Sequence, residues 1–291
     1  RGLGCSMCRR WTFCEAIKAV QETPMIRHPA VAGQFYTNDP TELRAELAGY
    51  IVPQKHRQKA IGIIAPHAGY IYSGNVAGRV YGEVSLPENV IILGPNHHGI
   101  GARAALYADG EWLTPLGAVG INNRLAKLIM KNAPLVREDT TAHHYEHSLE
   151  VQVPFLQFIR QDITIVPICL GFADFPSCAA LGKGIAAAIG AFEGEVLIVA
   201  SSDMTHYESA ASAREKDEEA LREITALKPE RLLKVCRDRE ITMCGVIPAT
   251  VMLVAALALG ATQARVVSYA TSGDVTGDQR QVVAYAAVAV S

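Results

Sequence analysis

Histidines stand out in this chain because of where they fall. His67 lies in "APHAGY", His97 and His98 in "GPNHHG", and His206 in "SSDMTHY". Each group directly follows an apolar run: 61–65, 90–93 and 196–200. Buried runs that end in glycine- or proline-rich turns read as strands. Imidazoles at such ends suit two kinds of chemistry, metal ligation through a ring nitrogen and proton transfer near neutral pH. For His67 a metal ligand and a turn histidine bonded to backbone are the two readings. In the pair, His97 is the expected ligand and His98 the expected support behind it. Asp203, three residues before His206, is expected to hold that ring in one tautomer as a general acid/base, against the plainer reading of a helix-start cap.

Other polar groups compete for the same chemistry. Cys244 in "TMCGVIP" precedes an expected helix, where a thiolate is favoured and Gly245 permits close backbone approach; a small buried thiol is the alternative. "HHYEHSLE" places His143 and His147 four apart, with Glu146 and His147 as candidates to line a cleft. The H-E-x-x-H order of helical zinc proteases is absent. Ser201 and Ser202 beside Asp203 and His206 lack the G-x-S-x-G elbow of a serine hydrolase. Tyr70 and Tyr72 could form an aromatic wall or pack on a helix.

These groups need a frame that brings them together. Apolar runs at 61–65, 90–93, 163–170, 196–200, 265–270 and 282–290 read as strands. Helical patterns fall near 41–51, 74–84, 122–132, 147–160, 177–190, 211–226, 229–237 and 248–259. The stretch 106–121, with Asp109-Gly110 at its centre, reads as a β-hairpin. Strands alternating with helices imply an α/β fold, with a mostly parallel sheet covered on both faces. Such sheets bind ligands outside the carboxyl ends of their strands, the edge at which the histidines collect.

Bulk composition narrows the partners. The chain has 291 residues, 49% of them hydrophobic and 19% charged, enough for one large α/β domain. Lys+Arg 27 against Asp+Glu 29 gives a formal charge of -2, so no basic footprint for nucleic acid or anionic lipid is present. No apolar run reaches the length of a membrane span. Arg9 and Arg10 are followed by Glu15 and Lys18 rather than an uninterrupted apolar stretch, so no signal peptide is read and a cytoplasmic location is expected. The seven cysteines are expected as reduced thiols. Residues 1–24 read as an extension; their Cys5-x-x-Cys8 pair with Cys14 is a weak metal signal without a second half.

Eight stretches stand in an order that resembles the Memo family, whose bacterial and archaeal members are called AmmeMemoRadiSam system protein B. They are "HPAVAGQFY", "PHAGYIYSG", "GPNHHG", "TPLG", "EHSLEVQVPF", "SSDMTHY", "CGVIP" and "SGDVTGD". The resemblance covers residues 25–291, read as a single domain, and leaves 1–24 outside. It implies a three-layer α/β/α fold similar to class III extradiol ring-cleavage dioxygenases, in which two histidines and a carboxylate hold the metal. Carried across, it implies His67, His97 and Cys244 as metal ligands, with Cys244 standing where those enzymes carry glutamate. It also implies His206 as the acid/base. The expected cofactor is Fe(II), with Cu or Zn also suited to imidazole and thiolate. Two functions follow from it. One is extradiol cleavage of a catechol-type aromatic, with His98, Tyr70, Tyr72, Glu146 and His147 around the substrate. The other is a redox or non-catalytic copper- or iron-binding interaction protein that engages a peptide. A homodimer would form through the sheet edge or the hairpin.

Overall fold

The computed structural model describes residues 25–52 and 54–291; the Cys5-x-x-Cys8 pair and Cys14 lie outside them. The chain opens with β1 (Ile26–Arg27), α1 (Pro40–Tyr50), β2 (Gly62–Ala65) and α2 (Tyr70–Glu83). After β3 (Asn89–Pro95) come β4 (Ala104–Leu106), β5 (Glu111–Thr114), β6 (Gly117–Ile121) and α3 (Asn123–Asn132). β7 (Arg137–Glu138), α4 (Val153–Ile159), β8 (Thr164–Leu170), α5 (Phe175–Gly190) and β9 (Val196–Ser201) follow. The last part runs β10 (His206–Glu208), α6 (Ala210–Thr225), α7 (Pro229–Asp238), α8 (Val246–Ala258), β11 (Ala264–Thr271), α9 (Gly273–Thr276) and β12 (Val282–Val290).

These strands form a 12-stranded sheet whose main path is β1-β5-β6-β8-β3-β9-β2-β12-β10. Its middle, β6 through β2, is parallel throughout. β12 turns the sheet antiparallel, pairing with β2, β10 and β11. Alternate side chains along each central strand enter different cores. Ile64, Ile91, Leu93 and Ile198 face the side packed by α3, α5, α6, α7 and α8. Ile63, Val90, Ile92 and Val199 face the side packed by α1, α2 and α4. Strands buried on both faces must be apolar throughout, which is why they read as unbroken runs in the sequence. The three-layer α/β/α arrangement is therefore as expected. Among the described residues, no helix is long and apolar enough to cross a membrane.

Two local expectations are corrected. The hairpin turns at Pro115-Leu116, with Thr114 paired to Gly117, rather than at Asp109-Gly110. Gly110 instead has φ +91, and a Cβ there would lie 2.0 Å from Met25 O, so it allows β1 to lie along β5. The helix expected from residue 147 begins at Val153, because Pro154 suits the first turn of a helix and no position deeper in it. A 3-10 turn at Glu150–Gln152 leads into α4, and Glu146 and His147 lie ahead of it outside any helix. His143 and His147 consequently point apart, with His143 buried beside Trp112 and its Nε2–H donated to Ala105 O.

Candidate metal centre

Three neighbouring parallel strands, β3, β9 and β2, deliver their carboxyl ends to one edge of the sheet. His97 follows β3, Asp203 follows β9 and His67 follows β2. Cys244 arrives from the loop ahead of α8. A Cβ on Gly245 would lie 2.3 Å from Ser201 O and 2.4 Å from Ser202 Cβ, so only glycine lets this loop lie flush on the end of β9. The Gly245 N–H then donates to Ser202 Oγ at 3.0 Å. Gly94 does the same for the opposite wall, since a Cβ there would lie 2.6 Å from Ser148 Oγ. That contact brings the 146–149 segment against β3.

One ligand atom each from His67, His97 and Cys244 lies within 4.8 Å of the other two. Cys244 Sγ and His67 Nε2 are 3.2 Å apart. A thiolate and an imidazole bound at about 2.3 Å and about 2.1 Å, at right angles on one ion, stand about 3.1 Å apart. The donor set therefore fits a single transition-metal ion.

Hydrogen bonds settle which ring nitrogens are free. Ser201 Oγ donates to Ser148 O at 2.6 Å and accepts from Gln152 Nε2 at 2.8 Å. Its remaining lone pair accepts from His67 Nδ1–H at 2.9 Å, which leaves Nε2 of His67 as a lone-pair donor. His97 Nδ1–H donates to Glu146 Oε1 at 2.8 Å, and its Nε2 is likewise left bare. Polar groups behind the ligands thus fix both tautomers, the usual arrangement behind metal-bound histidines.

Burial shapes the charges. It is the largest cause of the lowered His67 pKa, with His147 and His97 adding to it, so the ring is neutral and ready to ligate. Burial likewise holds His147 down to about 4. For Glu146 burial acts upward, but the hydrogen bond from the His97 ring and those from the backbone N–H groups of Ser148 and His97 act downward, and the carboxyl falls to about 2. The Cys244 thiol is pushed up by burial and then by Asp203. Without a cation the sulfur keeps its proton; coordination would replace it. The Asp203 N–H points at the sulfur from 3.3 Å.

Above these ligands opens a cleft of about 890 Å³. His147 stacks on His97 at 4.7 Å between ring centroids and packs against Phe35. Tyr72, Tyr207 and Tyr285 line the cleft together with His206. His206 Nδ1 can only donate to its partner, Thr242 O at 3.1 Å, so in the neutral ring Nε2 is the acceptor.

Three sequence expectations are corrected here. His98 is exposed and bonds Tyr145 O at 3.1 Å; the group behind His97 is Glu146. Tyr70 does not line the cleft but buries itself in the core, with its hydroxyl donating to Val151 O. Residues two apart on a helix point roughly 200° apart, so Tyr70 and Tyr72 cannot share a wall. Asp203 does not hold the His206 ring. Its Oδ1 accepts from the His67 N–H at 2.7 Å, because the segment 202–205 is not helical and residues three apart diverge. Thr242 takes that role, through its carbonyl and through the hydroxyl that accepts from the His206 N–H. Phe35, Ser201, Gln152 and Thr242 were not foreseen as parts of the site. The hints in the sequence are positional: Thr242 lies two residues before Cys244, and Phe35, Gln152 and Ser201 fall inside the stretches "HPAVAGQFY", "EHSLEVQVPF" and "SSDMTHY".

Comparison with known proteins identifies the family. Residues 27–289 match the family model described as Memo-like protein. A MEMO1 family protein of Aquifex aeolicus is 45% identical over 264 residues, covering 89% of this chain and 97% of its own. One from Methanopyrus kandleri is 40% identical over 278 residues, covering 91% and 98%. Another from Methanothermobacter thermautotrophicus is 40% identical over 274 residues, covering 90% and 99%. With nearly the whole domain matched and the strand-end histidines and Cys244 gathered at one point, this chain belongs to the Memo family.

Proposed function

We propose that the protein is a metal-dependent oxidoreductase of the extradiol type, with His67, His97 and Cys244 holding Fe(II). The observation that carries this reading is their convergence at the base of an aromatic-lined cleft, with a tautomer-locked His206 in the same wall. When bound, Fe(II) supplies a Lewis acid for the two oxygens of an aromatic diol and a redox centre at which O₂ reacts. The chain's own part is positional. His206 Nε2 accepts a proton from a diol hydroxyl, because Nδ1–H is committed to Thr242 O. The stacked pair His97 and His147, backed by Phe35, provides one flat wall for the ring, and Tyr72 and Tyr285 offer further aromatic surface. The test is to load the protein anaerobically with Fe(II), then add a panel of catechols and O₂. A yellow ring-opened product supports the reading; a fully loaded site without turnover sinks it.

A second reading rests on the thiol. A thiolate is softer than the carboxylate of a two-histidine-one-carboxylate site and suits copper. A redox or metal-carrying interaction protein, engaging a peptide rather than an aromatic substrate, needs that sulfur. Cys244→Glu separates the two, since glutamate preserves or raises diol oxygenation in the first case and abolishes copper binding in the second.

A further inference from the structure

The cleft has an uneven stock of charge. Among the described residues that line it there is no lysine and no arginine. Its carboxyls are those of Asp203 and of Asp278, and only the first lacks a cationic partner. The guanidinium nearest in sequence, Arg280, is already committed: its Nε and Nη2 bond the two oxygens of Asp278 at 3.0 and 2.7 Å.

Backbone amides do not make up the deficit. The turn after β2 offers the N–H groups of His67 and Ala68, but both bear on the chain's own Asp203 carboxylate. At the start of α2, which opens on the cleft, Tyr70 N–H donates to Phe35 O at 2.7 Å. Tyr72 and Ser73 N–H both donate to Gly69 O. Five of the seven amides from His67 to Ser73, where a helix start or an amide nest would normally seat an anion, are therefore filled from within.

On a ring whose diol faces the ion, an anionic substituent on the opposite side meets no lysine or arginine in the lining to pair with, which is unfavourable. A cationic one meets a lining that includes Tyr72, Tyr207 and Tyr285, residues whose ring faces attract cations. We infer that the cleft selects by charge, accepting neutral or amine-bearing aromatic diols and rejecting aromatic carboxylates. This rests on the reading of the cleft as a diol site.

The test uses the full chain loaded with Zn(II), a redox-inert ion, with loading checked by metal analysis and binding read by calorimetry. Catechol, 4-(2-aminoethyl)catechol, 3,4-dihydroxybenzamide and 3,4-dihydroxybenzoate are compared. The amide is the neutral twin of the carboxylate in size and shape. Expected are similar affinities for the first three and binding weaker by about tenfold or more for the carboxylate. Gln281→Arg, which places a guanidinium in the same wall, should close most of that gap. A carboxylate that binds as tightly as the amide overturns charge selection and leaves the diol reading standing. Acid and amide weakened together would mean exclusion by size, which also overturns it. Failure of every diol to bind the loaded protein removes both.

Discussion

Glu146 grips His97 at both ends: Oε1 accepts from the ring Nδ1–H at 2.8 Å and Oε2 accepts from the backbone N–H of the same residue at 2.7 Å. The carboxylate is itself fully buried and receives the Ser148 N–H at 2.9 Å. Ring orientation, tautomer and loop position therefore depend on one group. Glu146→Gln keeps the volume but turns one acceptor into a donor facing another donor. It should weaken Zn(II) affinity by about 10- to 100-fold, the usual effect of losing a partner behind a ligand. Competition against a chromogenic chelator reads this, with circular dichroism confirming that the protein is folded. Unchanged affinity would show that the grip on His97 is immaterial to binding.

Cys244 sits 3.2 Å from His67 Nε2 and keeps its proton in the metal-free protein. Metal uptake should then release about one proton per ion, measured by calorimetry in buffers of different ionisation enthalpy. Cys244→Ser should lower the affinity by about tenfold or more and abolish most of that release. If the serine variant binds as well as the wild type, sulfur is not a ligand.

Acid should destabilise the fold partly through His143. Burial lowers its pKa to about 4, from an ordinary value of 6.5. A depressed value means that the unfolded chain takes up the proton first as pH falls. The neutral ring's contribution is whole above about pH 6.5 and is lost as pH drops toward 4. That interval corresponds to roughly 3 kcal/mol. His143→Phe, less stable at pH 7 for want of a donor to Ala105 O, should show a pH dependence shallower by about that amount. Urea midpoints measured between pH 7 and pH 4 give the comparison, and parallel profiles would refute it.

Arg27 and Glu150 form a buried ion pair at 2.8 Å, with side chains 4% and 1% exposed. The guanidinium also donates to the carbonyls of His143 and Glu146, so it pins the segment that carries the His97 partner. Glu150 in turn accepts from Ala30 and Val31 N–H and from the Tyr36 hydroxyl. Arg27→Met leaves that carboxylate without its counter-charge and should cost about 3 kcal/mol or more. Arg27→Met with Glu150→Gln should recover part of the loss. Chemical denaturation of the single and double variants tests the coupling; additive losses would count against it.

Much of the architecture was legible because its signals are local. Strands buried on both faces show as unbroken apolar runs, and the order of runs and helical patterns specifies a parallel sheet. The shared edge of His67, His97 and His206 followed from that same reading. Features that depend on direction rather than order leave no such local signal. Tyr70 and Tyr72 part company because α2 starts four residues before its periodic pattern suggests, which sets them on a helix rather than at a strand end. Asp203 turns to the His67 amide and not to His206, a choice made by tertiary packing around β2 and β9. Ser201, Gln152 and Thr242 act from across the fold, and their place in the chain does not say which ring each one holds.

His67 and Cys244 are separated by 177 positions of sequence, yet their donor atoms nearly touch. The unfolded chain holds no such pair at useful concentration, so the proposed affinity for an ion would arise only once both halves of the sheet have assembled. An ion at that spot behaves as a rivet across a very long loop, and every factor of ten in its concentration above Kd adds about 1.4 kcal/mol to the integrity of the whole molecule. If His67, His97 and Cys244 hold an ion as proposed, thermal resistance and metal supply would be linked quantities for this protein, and starvation for the ion would register first as a loss of heat tolerance across the domain.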